Sequence, residues 1–378
     1  MSHRDEEYMR EALRLARCGA QTASPNPMVG AVVVSKDRIV GRGYHLRPGC
    51  AHAEVLALQE AGSATGGATL YVTLEPCAHW GRTGPCTEAI IGGGVRRVVA
   101  AMEDPDRRVR GRGLRRLREA GIETTLGVGE GDARRLNEAY IKHRTTGLPF
   151  VTAKWAMTLD GRTATSTGDS RWISGEASRG LVHEIRASAD AILVGIGTVL
   201  RDDPQLTARG PARHQPARIV VDSALRIPAA ARVLTENGAP VIVATTSRAP
   251  QAARAALEAR GVDVWVADGP DRRVDVRTIL EALGRRGMTS LLVEGGSRIH
   301  GTFIDAGLVD KVLVFLGSLI VGGAGPCAVG GAGADTIAHA LRLVRTAVRQ
   351  IDQDVVIEGY LPAVLGRGEE VGRCSPGS

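Results

Sequence analysis

Between Arg4 and Cys18, the apolar residues Tyr8, Ala12, Leu13, Leu15 and Ala16 fall at helical spacing. They predict an amphipathic helix, which Ser24-Pro25-Asn26-Pro27 breaks. The period then changes. Val29–Val34 is a short β-branched run closed by Ser35-Lys36-Asp37, and Ile39–Tyr44 reads as its hairpin partner. A helix over Ala51–Ala61 ends at Gly62 and is followed by a strand at Thr69–Leu74. Next come a helix at Thr87–Gly92, a strand at Arg97–Met102, a helix at Leu114–Ala120 and a strand at Ile122–Leu126. Leu136–Arg144 reads as one more helix, and Thr145-Thr146-Gly147-Leu148-Pro149 as a linker. A second series has strands at Phe150–Met157, Ala191–Val194, Ala217–Val221, Pro240–Ala244, Val262–Val266, Ser290–Val293 and Lys311–Leu316, with helices between most of them. Such alternation predicts layered, mainly parallel α/β units.

A chain of 378 residues suits two domains, here 1–146 and 149–365; the polar, glycine-rich stretch 366–378 is expected to be a loose tail. With 43% hydrophobic and 24% charged residues, global disorder is excluded. No apolar run approaches the ~20 residues of a membrane-spanning helix. Met1–Glu7 is polar and acidic, unlike a secretory signal, so a cytoplasmic location is expected. The net charge is +7, yet only Lys36, Lys142, Lys154 and Lys311 among the 48 basic residues are Lys. That is a compositional habit rather than a selected basic surface, though a few Arg suffice for a phosphorylated small molecule. The six cysteines, without a signal, point to metal or catalytic use of any cluster rather than to disulfides.

One cluster stands out. His52-Ala53-Glu54 opens a helix, Glu75-Pro76-Cys77 follows a strand, and Cys86 comes eight residues after Cys77. One His and two Cys give Zn²⁺ three protein ligands and leave a fourth position open, the arrangement of a catalytic rather than a structural site. Glu54, about 200° round the helix from His52, does not share the ligand face cleanly but can shuttle a proton at the helix tip. Hydrolytic deamination needs such a division of labour: an acidified water attacks an amidine-like ring carbon, and a carboxylic acid protonates the departing ammonia. Cys18, Cys50, Cys327 and Cys374 lack such context.

In the second half, Gly195-Ile196-Gly197-Thr198 and Glu294-Gly295-Gly296-Ser297 are glycine-bearing turns at strand ends, where α/β sheets bind ligands. Neither completes Gly-x-Gly-x-x-Gly, so a Rossmann reading fails, and ordinary tight turns remain open on these residues alone.

Pro76-Cys77-Ala78-His79-Trp80-Gly81-Arg82-Thr83-Gly84-Pro85-Cys86 spaces its cysteines far more widely than cytidine or tRNA-adenosine deaminases do. Together with Ser24–Gly30, Gly43-Tyr44-His45, His52-Ala53-Glu54, Thr158–Arg162, Arg171-Trp172-Ile173, Asp202-Asp203-Pro204 and Val293–Gly296, the chain resembles the bifunctional riboflavin-biosynthesis deaminase-reductases over residues 5–362. The resemblance implies an α/β fold, with a three-layer cytidine-deaminase-like N-terminal domain and a dihydrofolate-reductase-like C-terminal domain. The first would deaminate 2,5-diamino-6-ribosylamino-4(3H)-pyrimidinone 5′-phosphate; the second would use NADPH to reduce the ribosyl group to ribityl. It implies that His52, Cys77 and Cys86 hold Zn²⁺ and that Glu54 is the proton shuttle. Asn26 and His45 would line the base pocket, with His79 and Arg82 on the loop between the cysteines, Arg82 toward the phosphate. NADPH would meet Ala156, Trp172, Thr198, Asp202, Ser223, Gly296, Ser297, Arg298, Ile299, His300, Gly301 and Thr302. Substrate would meet Ser170, Arg186, Leu206, Arg209 and Glu294, with Arg186 and Arg209 suited to its phosphate. Lys154 and Asp202 are the candidate proton-handling groups, the alternative for each being a surface ion pair. A dimer or tetramer is expected. One position departs: the family usually has Asn-Pro after Asp-Pro, where this chain has Asp104-Pro105-Asp106-Arg107, so no base contact is assigned to Asp106.

Two other readings compete. An RNA deaminase would use the seven Arg of Arg107–Arg118 as a nucleic-acid patch, but no aromatic residues are interleaved for stacking, and a solvated face is the simpler account. A structural zinc module would need a fourth protein ligand, and none has suitable spacing.

Overall fold

The computed structural model describes residues 3–81, 84–235 and 238–362. Stretch 366–378, Arg82 and Cys374 lie outside the described residues. Contacts divide the chain into two compact units: the chain up to Pro149 with Leu283–Thr289, and Phe150–Ala282 with the chain from Ser290 onward. No helix among the described residues is long and apolar enough to cross a membrane.

The first unit runs α1 (His3–Ala16), β1 (Gly30–Ser35), β2 (Arg38–Tyr44), α2 (Ala53–Ala61), β3 (Thr69–Val72), α3 (Cys86–Gly92), β4 (Arg97–Ala100), α4 (Arg112–Glu119), β5 (Glu123–Leu126), α5 (Glu130–Leu136) and α6 (Glu138–Thr146). Its sheet has the order β2-β1-β3-β4-β5. β1 is antiparallel to both neighbours, while β3, β4 and β5 are parallel. The buried face of α1 carries Ala12, Leu13, Leu15 and Ala16 as its periodicity predicts, but Met9 is buried where Tyr8 is only partly so. Asp5 is buried on the same face because Arg97 donates to its two oxygens at 3.0 and 3.2 Å and the Tyr71 hydroxyl at 2.8 Å.

Two glycines place the helix that opens with the candidate metal ligand. A Cβ on Gly41 would lie 2.0 Å from the Ala57 carbonyl oxygen, and one on Gly43 2.2 Å from that of Ala53. Strand β2 therefore admits α2 against its bare backbone, which fixes where the first turn of α2 begins.

Two expectations change here. Leu136–Arg144 is not one helix: α5 ends and α6 begins at Asn137, whose side chain accepts from the Met28 N–H at 2.8 Å and donates to the Met28 carbonyl at 3.0 Å. Thr145 and Thr146 are not linker but the last turn of α6, because both hydroxyls bond back to helical carbonyls and the stop comes at Gly147 with φ 77°.

The second unit runs β6 (Phe150–Thr158), α7 (Glu176–Ser188), β7 (Ala191–Gly195), α8 (Ile196–Asp202), β8 (Ala217–Val221), β9 (Val241–Thr245), α9 (Gln251–Glu258), β10 (Asp263–Val266), α10 (Val276–Arg285), β11 (Ser290–Gly295), α11 (Ser297–Asp305), β12 (Lys311–Gly317), β13 (Val344–Ile351) and β14 (Asp354–Tyr360). The nine-stranded sheet has the order β10-β9-β8-β7-β11-β6-β12-β14-β13 and is parallel from β10 to β12. The antiparallel hairpin β13–β14 was not expected. Residues 345–350 are all exposed, so β13 has no buried face whose alternation could announce it.

Candidate active sites

His52 occupies the N-cap of α2 in extended conformation, Glu54 sits in the first turn, Cys77 lies beyond β3, and Cys86 opens α3. Their convergence follows from the sheet order, since α2 contacts both β1–β2 and α3. The ligand atoms of His52, Cys77 and Cys86 all lie within 4.8 Å of one another. His52 Nδ1 is 3.0 Å from Cys86 Sγ and 3.6 Å from Cys77 Sγ. Tetrahedral zinc, with bonds of about 2.1 Å to nitrogen and 2.3 Å to sulfur, needs such separations to be about 3.6 Å. Hydrogen bonds from the Cys86 thiol and His52 hold Cys77 down at about 4, while its neighbour's sulfur and burial push Cys86 up. Cys77 is thus the more readily ionised of the two thiols, and an imidazole with two converging sulfurs is a donor set that fits zinc.

Glu54 is 3% exposed, and burial pushes its carboxyl up from the usual range. The site opens into a cavity of about 670 Å³, lined by Asn26, His45, His52, Glu54, Cys77 and His79 together with Asp104, Asp106, Arg108, Arg112 and Arg144. His45 is 3% exposed; its Nδ1 lies 3.3 Å from the Ala51 carbonyl and its Nε2 3.0 Å from Asn26 Nδ2. Burial lowers its pKa, so the ring is neutral, donating to Ala51 and accepting from Asn26. Asn26 and His45 thus reach the cavity as one unit. Exposed His79 also reaches it; Cys50, treated above as incidental, lines it too.

Asp106 is tied up rather than free. Arg108 donates to its carboxylate at 2.6–3.2 Å and Arg144 stands 3.9 Å away; those arginines hold it at about 2. The arginine run is laced in the same way, with Arg110 on Glu103 and Arg116 on Glu88, as a solvated face predicts. Two of its members, Arg108 and Arg112, turn out to line the cavity. Replacing Cys77 with Ser should lower bound zinc at least in proportion to the lost thiolate affinity, roughly tenfold or more in dissociation constant. Elemental analysis after dialysis against chelator checks this, and unchanged metal content would remove Cys77 from the ligand set.

In the second unit the two glycine turns sit at the C-terminal ends of adjacent parallel strands β7 and β11 and open α8 and α11. A Cβ on Gly295 would lie 2.5 Å from Val194 Cα, and one on Gly195 2.7 Å from Ile299, so these glycines serve close packing of the two strand ends. Gly296, with φ 79°, caps α11 and leaves the first-turn N–H groups of a nine-residue helix for an anion. This cradle fits a dinucleotide pyrophosphate. His300, however, is 2% exposed and turns both ring nitrogens to the carbonyls of Val293 and Ala328, and Gly301 packs on Gly330. Within Gly296–Thr302, only the opening turn presents itself outward. Ser223 bonds to the Val274 N–H through its hydroxyl, Ala156 and Thr198 are half-buried, and Trp172 is exposed with Arg179 stacked 4.4 Å over its ring.

Lys154 and Glu294 are not a surface pair. The Lys154 ammonium, 3.9 Å from Glu294, is buried, which lowers its pKa. Asp202 is half-buried, and burial raises it. Arg186 gives its Nε and Nη2 to Glu294 at 2.6 and 2.7 Å, so the edge suited to a phosphate is already occupied. Exposed Arg209 keeps that role open, while Ser170 is half-buried. Leu206 is 3% exposed in the apolar core, so it can offer only backbone. His183, which sequence reasoning missed, stands in the field of Arg186 and Arg209; burial and those cations lower its pKa.

Comparison with known proteins covers both units. Residues 2–102 match the cytidine and deoxycytidylate deaminase zinc-binding region, and residues 149–357 match the RibD C-terminal domain. The riboflavin biosynthesis protein RibD of Aquifex aeolicus is 44% identical over 354 residues, covering 93% of this chain and 97% of its own. That of Escherichia coli strain K12 is 39% identical over 373 residues, covering 93% and 98%. Among solved structures, Acinetobacter baumannii RibD superposes with a TM-score of 0.85 at 36% identity, covering 95% of this chain and 99% of its own. A Thermotoga maritima diaminohydroxyphosphoribosylaminopyrimidine deaminase/5-amino-6-(5-phosphoribosylamino)uracil reductase superposes at 0.84 with 37% identity, covering the same shares.

Proposed function

The chain belongs to the RibD family of riboflavin-biosynthesis proteins, and from that premise we propose how its own residues divide two successive reactions. The protein is a bifunctional deaminase and reductase that uses zinc in its first unit and NADPH in its second. It deaminates 2,5-diamino-6-ribosylamino-4(3H)-pyrimidinone 5′-phosphate and then reduces the ribosyl group of the product to ribityl.

The observation that carries the first reaction is the buried Glu54 beside the His52–Cys77–Cys86 cluster, with Glu54, His52 and Cys77 lining one cavity. His52, Cys77 and Cys86 would hold zinc, which would supply an acidified water for attack on the pyrimidine carbon bearing the amino group. Glu54 takes up the proton released there and returns one to the departing ammonia, a task suited to a carboxyl whose pKa burial has raised. Asn26 and neutral His45 hold the base edge, with His79 toward the remainder of the substrate; a role for Arg82 on the phosphate rests on the family resemblance alone. In the second reaction, the turns opening α8 and α11 would hold NADPH, which would supply the hydride. Ala156, Trp172, Thr198, Asp202, Ser223 and the opening turn Gly296–Ile299 would surround it, while His300 and Gly301 stay packed inside. Lys154, 3.9 Å from Glu294, and Asp202 handle the proton, while Ser170, the Leu206 backbone and Arg209 face the substrate with Arg209 toward its phosphate.

The protein acts in the cytoplasm as a dimer or tetramer; sedimentation equilibrium distinguishes these from a monomer. The decisive experiment incubates purified protein with the diaminopyrimidinone phosphate, with and without NADPH, and identifies the products by mass. Deaminated product without NADPH and the ribityl product with it are expected; recovery of unchanged substrate in both would end this reading.

A further inference from the structure

Glu75 is 3% exposed, yet among the described residues it neither joins the metal-ligand cluster nor forms an ion pair. Its carboxylate instead collects four backbone N–H groups from one distant segment. Oε2 accepts from Asp104 at 3.2 Å and Gly111 at 2.9 Å; Oε1 accepts from Gly113 at 2.9 Å and Leu114 at 3.2 Å. Gly113 and Leu114 lie in the first turn of α4, whose N-cap, Gly111, has no side chain to satisfy those orphan donors. A carboxylate supplied from elsewhere in the chain does so, where the helix dipole also favours its charge. The contact is tight: a Cβ on Gly113 would lie 1.8 Å from the Pro76 carbonyl oxygen and 3.2 Å from Glu75 Cγ.

The two ends of this clamp both belong to the deaminase cavity. Glu75 is two residues before Cys77, and the clamped segment supplies Asp104, Asp106, Arg108, Val109 and Arg112 to the lining of the same cavity. We propose that Glu75 is a positioning residue of the deaminase, which locks the 104–114 wall onto the metal-ligating turn and so sets the distance between the reacting centre and the groups that bind the rest of the substrate. The inference rests on the deaminase reading for its kinetic consequence, but the clamp itself does not.

Glu75→Gln keeps size and one acceptor oxygen but turns an amide NH₂ toward two of the four N–H donors. In the full-length protein, amide hydrogen exchange reads the clamp directly. Exchange at Gly111, Gly113 and Leu114 should quicken at least about tenfold, with β3 and β4 unchanged; unchanged exchange at those amides overturns the proposal. Steady-state ammonia release reads its effect on the site. KM for the diaminopyrimidinone phosphate should rise on the order of tenfold with zinc content and NADPH oxidation of deaminated substrate intact. A parallel fall of kcat and bound zinc at unchanged KM would show a merely structural residue and also overturn it. Should the parent enzyme itself release no ammonia, the proposed function fails, and the exchange result still decides the clamp.

Discussion

Glu54→Gln protein is expected to keep its zinc and lose ammonia release by roughly 10²–10⁴-fold, the usual contribution of a positioned proton-transfer group. Gln is nearly isosteric and can still hydrogen-bond, so the cavity and the His52–Cys77–Cys86 cluster should stand. What disappears is a titratable proton at a position that is 3% exposed and lines the cavity beside the metal ligands. Elemental analysis gives the metal content, and an ammonia assay the rate. NADPH oxidation should proceed at the parent rate when deaminated substrate is supplied. Full deamination by the variant would refute the shuttle; loss of both activities with product supplied would refute the division of labour between the two units.

Glu294→Gln is expected to damage the second unit both energetically and chemically. Glu294 is clasped by Arg186 at 2.6 and 2.7 Å and faced by Lys154 at 3.9 Å, with all three side chains largely buried. Burial by itself would push its carboxyl up, but Arg186 and Lys154 overrule it and hold it at about 2. Removing one member of such a buried group leaves the others uncompensated and costs roughly 3–5 kcal/mol. For a unit of this size each kcal/mol lowers Tm by about 2–4 °C. Lys154 also loses the neighbour that raises its pKa, so burial lowers it further and loosens the amine's hold on the proton it is proposed to deliver. NADPH oxidation should therefore fall on the order of 10²-fold, with ammonia release retained.

The same pair predicts a pH signature. A folded-state pKa of about 2, against 4.5 for an ordinary Glu, means that the stabilisation is fully present above about pH 4.5 and is lost as pH falls through 2. The window holds roughly 3 kcal/mol. Thermal melts between pH 5 and 2 should show this acid limb in the parent and its absence in the variant; coincident slopes would show that Glu294 does not titrate as the geometry requires.

The zinc triad and Glu54 were legible because ligand chemistry belongs to residue type, and their spacing next to turns survives in one dimension. Element types in the parallel parts were legible for a similar reason: buried strands and amphipathic helices write their period into the chain. The hairpin β13–β14 was not, since β13 buries no face. The break at Asn137 was hidden because the group that rewards it, the Met28 backbone, is 109 residues away.

The amino-acid order alone therefore determined the chemistry on offer: three soft and borderline ligands, a carboxylate beside them, two glycine turns at strand ends, and an α/β alternation to carry them. Only the tertiary structure decided which charged groups remain free to use that chemistry. It spent Arg186 on Glu294 and Asp106 on Arg108, buried Lys154 and the His300 ring, and recruited Glu75 to hold a wall that sequence separation conceals. The physical reason is that a hydrogen bond or ion pair is specified by where two groups end up in space, and a buried polar group must find its partner wherever the fold places one.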